Sequence, residues 1–181
     1  MDLVEKELME SAGFSYPMII KECYSSFGMG VHLANNREEA IELICRCGNK
    51  ECIIQEFVGN RTGGAEDVRL QMVGEECVCA MKRSNENDFR ANITNGGKMS
   101  SYTPTDADLN IAINVMRAVG LDFAGIDIMF DKNGEPVFCE ANSNAHFKNI
   151  YDLTGINAAE YMLDYIKESV RTGGSIEEFN W

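Results

Sequence analysis

Apolar and polar residues alternate along the chain with two different periods. Strand-like runs with a period near two occur at Tyr16–Lys21, Gly30–Ala34, Cys52–Val58, Val68–Val73, Cys77–Arg83, Phe123–Phe130 and Pro136–Ala141. Between them lie runs with helical spacing. One extends from Arg37 to Arg46 behind the cap-like pair Asn35-Asn36, with Ala40, Ile41, Leu43 and Ile44 on its apolar side. A second starts after Thr105, carries Leu109, Ala112, Ile113, Met116 and Val119, and stops at Gly120. A third covers Ala158–Val170 and ends at Gly173-Gly174. Turns are predicted at Gly74-Glu75-Glu76 and at Asp131-Lys132-Asn133-Gly134. The mixture predicts an α+β or α/β sandwich. Three polar, Gly-containing segments remain: Ser25–Gly30, Asn60–Ala65 and Ser84–Ser101. The last shows no element of its own, and loops of that length in a compact domain tend to carry function.

The chain has 181 residues, enough for one domain or two small lobes. Its formal charge is −13, from 16 Lys+Arg against 29 Asp+Glu. Such a surface disfavours general binding to nucleic acid and requires any polyanionic ligand to be held by a few focused cations, backbone N–H groups and bound metal. No run approaches a membrane span, and the first residues lack the pattern of a secretory signal, so a cytoplasmic location is expected. Self-association is left open. Seven cysteines contain no C-x-x-C pair, and both histidines, His32 and His146, lie away from them in sequence. Reduced, structural thiols are the expectation.

Four segments carry candidate chemistry. In Lys21-Glu-Cys-Tyr-Ser-Ser-Phe-Gly-Met-Gly-Val31 a strand ends in lysine and a Ser- and Gly-rich loop follows. Glycines allow backbone N–H groups to approach phosphate oxygens, and Lys21 adds a point charge. An ordinary hairpin with an exposed lysine fits equally well. Gln55-Glu56 interrupts an apolar strand and could bond a purine or ribose edge, or simply mark a surface exit. Asp127 lies among apolar neighbours, and Glu140 and Asn142 share one face of the next strand. A hairpin can bring them together as oxygen ligands for Mg²⁺; a polar strand face, or pairing of the carboxylates with arginine, is the alternative. Finally, Asp67-Val-Arg69, Lys82-Arg83, Arg90 and Lys98 gather cations around the Gly96-Gly97 pair. Arg83 and Arg90 suit a phosphoryl group or a carboxylate, or surface ion pairs.

Taken in order, Pro17-Met-Ile-Ile-Lys21, SSFGMGV, IIQEFV, DVRLQMVG, AMKRS…NDFRANITNGG, FAGIDIMF and FCEANSN resemble the ATP-grasp superfamily, most closely its RimK-like amino-acid ligases. The resemblance spans the chain from about Gly13 to the final helix. It implies an α+β fold of two lobes with antiparallel sheets enclosing a nucleotide cleft, the small lobe at residues 1–58 and the large lobe, with the metal site, at 59–181.

It further implies ATP and Mg²⁺ (or Mn²⁺) as cofactors. Lys21, Ser25, Ser26, Gly28 and Gly30 would contact the phosphates. Gln55, Glu56, Phe57 and Val58 would line the adenine, and Asp67 would belong to the nucleotide site. Arg83, Arg90 and Asn92 would serve the reaction, and Asp127, Glu140 and Asn142 would hold the metal. The implied reaction activates a carboxylate as acyl phosphate for attack by an amine of a small molecule or peptide. A nucleotide-binding module without turnover and a small-molecule kinase on the related fold are the alternatives.

Three departures accompany the resemblance. About twenty residues precede Lys21, where the family has a front domain and a further lysine, so both are expected to be missing. Ser143-Asn-Ala-His-Phe147 replaces the Pro-Gly pair of the ligases that modify a ribosomal protein. The net acidity argues against an acidic protein tail as acceptor.

Overall fold

The computed structural model describes residues 15–25, 28–59, 64–92 and 96–172. Ser26, Asn60 to Gly63 and Gly173-Gly174 lie outside the described residues, as does the segment before Ser15. The chain divides into two compact units: residues 1–65 with 85–97, and residues 66–84 with 98–181.

In the first unit, β1 (Met18–Glu22), β2 (Val31–Ala34) and β3 (Cys52–Glu56) form an antiparallel sheet of order β2-β1-β3. Helix α1 (Arg37–Cys47) is capped by Asn36, whose side-chain oxygen accepts from Glu39 N–H at 2.9 Å. Its buried Ala40 and Cys47 pack with Met18, Ile20 and Ala34 of the sheet. Strand β3 ends at Glu56, so Phe57 and Val58 follow the strand instead of belonging to it, ahead of Gly59 with φ 140°.

The second unit is a five-stranded antiparallel sheet of order β6-β5-β4-β7-β8, built from β4 (Ala65–Val73), β5 (Glu76–Asn85), β6 (Lys98–Ser101), β7 (Phe123–Phe130) and β8 (Pro136–Asn142). Helix α2 (Asp106–Val119) covers one face. Val68, Leu70 and Met72 of β4, and Ala124, Ile126 and Ile128 of β7, pack with Ala112 and Met116 of the helix. Each of the buried Val, Leu, Ile and Met side chains contributes about 1.5–3 kcal/mol. Thr105 and Asp108 form a reciprocal capping box at the start of α2, and Gly120 in the left-handed region ends it.

The opposite face is divided by parity. Val73, Cys79 and Met81 bury against Ile150 of α3 (Lys148–Thr154) and Ala158 of α4 (Ala158–Arg171). Further along the same face the residues become polar and charged.

Two elements depart from the sequence expectation. Segment 84–101 is not free of structure: β5 runs on to Asn85, and Lys98–Ser101 forms an edge strand paired with Met81–Ser84. That edge strand is exposed along its whole length and pairs with β5 through its backbone. Helix α3 was not expected either. It is seven residues long, lacks a side-chain N-cap and buries only Ile150.

Candidate active site

The polar half of the second sheet is organised by strand register. Arg69 of β4 is opposite Asp127 of β7, and Asp127 is opposite Glu140 of β8. Directly opposed residues share a face, so these three side chains form a row across three strands. Asn142 lies two residues beyond Glu140, and its amide nitrogen donates to Glu140 Oε1 at 3.0 Å. The register shifts between Asp127 and Ile128, which pair with Glu140 and Phe138, leaving Cys139 as the extra residue of a β-bulge. A bulge beside converging carboxylates is a common way to re-aim side chains at a site.

Asp127 is 4% exposed and carries two guanidinium partners. Arg69 Nε donates to Oδ1 and Arg69 Nη2 to Oδ2, both at 2.6 Å. Arg83 Nη2 adds a third bond to Oδ2 at 3.0 Å. Arg83 also binds Asp67 two-pronged, Nε to Oδ1 at 2.6 Å and Nη2 to Oδ2 at 2.9 Å. Asp67, Arg69, Arg83 and Asp127 thus form one ion network, and the pairing with arginine expected as an alternative is present.

The two aspartates titrate in opposite directions. Burial acts to raise the Asp127 carboxyl, but Arg69 and Arg83 outweigh it and hold it below the usual range. Burial also raises Asp67, and with one guanidinium partner and Asp127 nearby it stays above the usual range. Arg83 is held firmly charged: burial disfavours the cation, and the two carboxylates more than compensate.

The oxygen donors suit a small divalent cation. Asp127 and Glu140 offer carboxylate oxygens from opposed positions and Asn142 offers an amide oxygen, a donor set appropriate to Mg²⁺ completed by phosphate and water. Glu140 is exposed and Asp127 buried, so the set opens to one side.

In the first unit, Lys21 is the penultimate residue of β1, opposite Val31 and Ile53. Backbone N–H of Glu22 donates to Gly30 C=O at 2.9 Å and closes the loop that follows. A Cβ at Gly30 would lie 2.5 Å from Ser25 Cβ and Oγ, so the loop closes only around glycine. Arg90 bridges to this loop: Nη1 donates to Gly28 C=O at 2.9 Å, while Nε and Nη2 grip Asp88 at 2.9 and 2.8 Å. Asn92 C=O accepts from Gly97 N–H at 3.3 Å. Gln55 and Glu56 end β3 opposite Ile19 and Met18.

Among the expected residues, Asp67, Arg83, Asp127, Glu140 and Asn142 gather in the second unit, and Arg90 and Gly28 meet in the first. Ser26 lies outside the described residues. The arrangement adds Arg69 and Asp88. Arg69 was detectable by its two-residue spacing from Asp67, which places both on one strand face. Asp88 is a loop residue with no periodic signal.

Comparison with known proteins defines the class. An ATP-grasp ligase solved with a minimal precursor, Mg and ADP, the protein PsnB, superposes with a TM-score of 0.65 at 17% identity, covering 90% of this chain and 50% of that one. The fold is that of the ATP-grasp ligases. The model of the RimK-like ATP-grasp domain matches residues 3–166, and the chain belongs to that family. A probable alpha-L-glutamate ligase of Mannheimia succiniciproducens is 33% identical over 159 residues, covering 86% of this chain and 52% of the relative. A ribosomal protein bS6–L-glutamate ligase of Escherichia coli O81 is 34% identical over 159 residues, with the same shares. The chain spans about half the length of the curated relatives it matches. No helix among the described residues is long and apolar enough to cross a membrane.

Proposed function

We propose that this chain carries the nucleotide- and metal-binding machinery of an ATP-dependent carboxylate–amine ligase that adds an amino acid, with glutamate suggested by the relatives. The single observation that supports it best is the row Arg69–Asp127–Glu140, with Asn142 and the Arg83–Asp67 pair beside it: oxygen donors and guanidinium groups side by side on one sheet face.

In this reading Asp127, Glu140 and Asn142 hold Mg²⁺, which supplies neutralisation of phosphate charge. Lys21, with Ser25, Ser26, Gly28 and Gly30, holds phosphate oxygens. Gln55, Glu56, Phe57 and Val58 take the adenine. Asp67 orients Arg83, whose cation is fixed in place to meet charge that develops as the γ-phosphoryl group moves to the substrate carboxylate. Arg90 is anchored by Asp88, so its remaining contact to Gly28 keeps the phosphate loop in register, with Asn92 nearby in sequence. The amine then attacks the acyl phosphate and phosphate leaves. Such a route relies on positioning and electrostatics, and no Ser or Cys nucleophile is needed.

The test is incubation of the chain with ATP, Mg²⁺, a panel of amino acids and carboxylates, and hydroxylamine as a trap. Carboxylate-dependent release of ADP and phosphate, with hydroxamate formation, is expected. A stable phosphorylated product would point to a kinase, and nucleotide binding without turnover to a binding module.

A further inference from the structure

Asp127 has an asymmetric set of bonds. Its Oδ2 accepts from Arg69 Nη2 at 2.6 Å and from Arg83 Nη2 at 3.0 Å, while Oδ1 accepts only from Arg69 Nε at 2.6 Å among the bonds of the described residues. A carboxylate offers about four acceptor positions, two on each oxygen. Oδ2 is therefore saturated, and Oδ1 keeps one position.

We infer that Arg69 is a specificity-determining residue for the metal: by gripping Asp127 edge-on it restricts that carboxylate to one-oxygen coordination and so favours Mg²⁺ over Ca²⁺. The inference rests on the metal-site reading given above. Its physical basis is the difference between the ions. Mg²⁺ demands near-octahedral geometry with singly coordinating carboxylates and retained water, whereas Ca²⁺ takes six to eight oxygens and readily accepts both oxygens of one carboxylate. A carboxylate with one free position meets the need of the first and leaves the second one oxygen short of the two it could otherwise take from that group.

Several features make Arg69 the restricting group. Its side chain is only 14% exposed, and its fork matches a carboxylate edge in a way a lysine ammonium cannot. Arg83 divides its donors between Asp67 and Asp127, whereas Arg69 directs both Nε and Nη2 to Asp127. Gly125, two residues before Asp127 on the same face, lies beside Arg69: a Cβ there would meet Arg69 Cδ at 3.4 Å, an ordinary contact, and would clash with Ala145 Cβ at 2.6 Å. Arg69 is a positioning residue, acting through Asp127 and not on the substrate.

The experiment measures Mn²⁺ bound to the 181-residue chain, in the presence of a non-hydrolysable ATP analogue, by electron paramagnetic resonance, with Mg²⁺ or Ca²⁺ as the displacing ion. The wild type is expected to release Mn²⁺ to Mg²⁺ more readily than to Ca²⁺. In Arg69→Met that preference is expected to fall on the order of tenfold, because Asp127 can then offer both oxygens.

Arg69→Lys keeps the charge and loses the fork, so it is expected to behave like Arg69→Met, and it reads the ratio if the Met variant does not fold. A wild-type ratio in either folded variant overturns the inference, including rescue by lysine, which would mean that charge alone matters. A wild-type chain that binds no Mn²⁺ with the analogue overturns the metal-site reading itself, and this inference with it. Binding with an unchanged ratio overturns this inference alone.

Discussion

Asp127 and Glu140 face each other across β7 and β8, one buried under two arginines and the other exposed. This difference separates their structural and chemical roles. Glu140→Gln removes an exposed carboxylate that accepts from the neighbouring Asn142, so stability should change within about 0.5 kcal/mol. Asp127→Asn leaves Arg69 and Arg83 without their shared counter-charge and should cost about 3–5 kcal/mol. Both should weaken Mn²⁺ binding. Thermal melting combined with metal titration checks the pair; a metal affinity unaffected in Glu140→Gln would remove Glu140 from the site.

Arg83→Ala should lower stability at neutral pH by about 3–5 kcal/mol, because Asp67 and Asp127 both lose a buried partner. The pH dependence follows from the sign of the Asp67 shift. Its folded carboxyl lies above the usual value, so its contribution is favourable at low pH and is lost as pH rises through the folded value. Removing Arg83 pushes that value higher still. The deficit of the variant should therefore shrink on acidification, as urea unfolding at neutral and mildly acidic pH would reveal. A deficit that grows with acid would contradict the assignment.

A Cβ on Gly97 would lie 2.3 Å from Ala91 C=O and 2.9 Å from Asn92 C=O, both backbone atoms that cannot swing aside. Gly97→Ala should cost about 1–3 kcal/mol and shift the 90–92 segment. Amide chemical shifts of Arg90 and Asn92 are the readout, and nucleotide affinity should fall with them.

The seven cysteines are free, and their environments rank their reactivity. Cys23 and Cys45 are exposed, whereas burial pushes the Cys77 thiol up to about 12 and the Cys79 thiol up to about 11. The thiolate is the reactive form. At pH 8 a thiol-disulfide reagent should modify Cys23 and Cys45 rapidly in the native chain and reach Cys77 and Cys79 only on unfolding. Fast labelling of Cys77 before unfolding would contradict the burial.

Legibility differed from segment to segment. Strands β5, β7 and β8 were readable as apolar runs between turns, and β4 by alternation: Val68, Leu70 and Met72 face α2, while Asp67, Arg69 and Gln71 occupy the odd positions. Helices α1 and α2 announced themselves by caps and periodic apolar positions. Strand β6 and helix α3 did not, since one is a polar edge and the other buries a single large side chain. Cys139, the bulge residue, has no signature in an apolar run.

What the residue order determines by itself is the set of chemical groups and the face each takes, because strand parity is local. It placed Glu140 and Asn142 together, and Asp67 with Arg69. Only the tertiary structure decided that Arg69 meets Asp127, 58 positions away, that Arg83 joins two carboxylates, and that residues 85–97 belong with the first unit. Those outcomes depend on strand order and register. They are set by the competition of whole apolar faces for burial and of buried charges for partners, which no window along the chain contains.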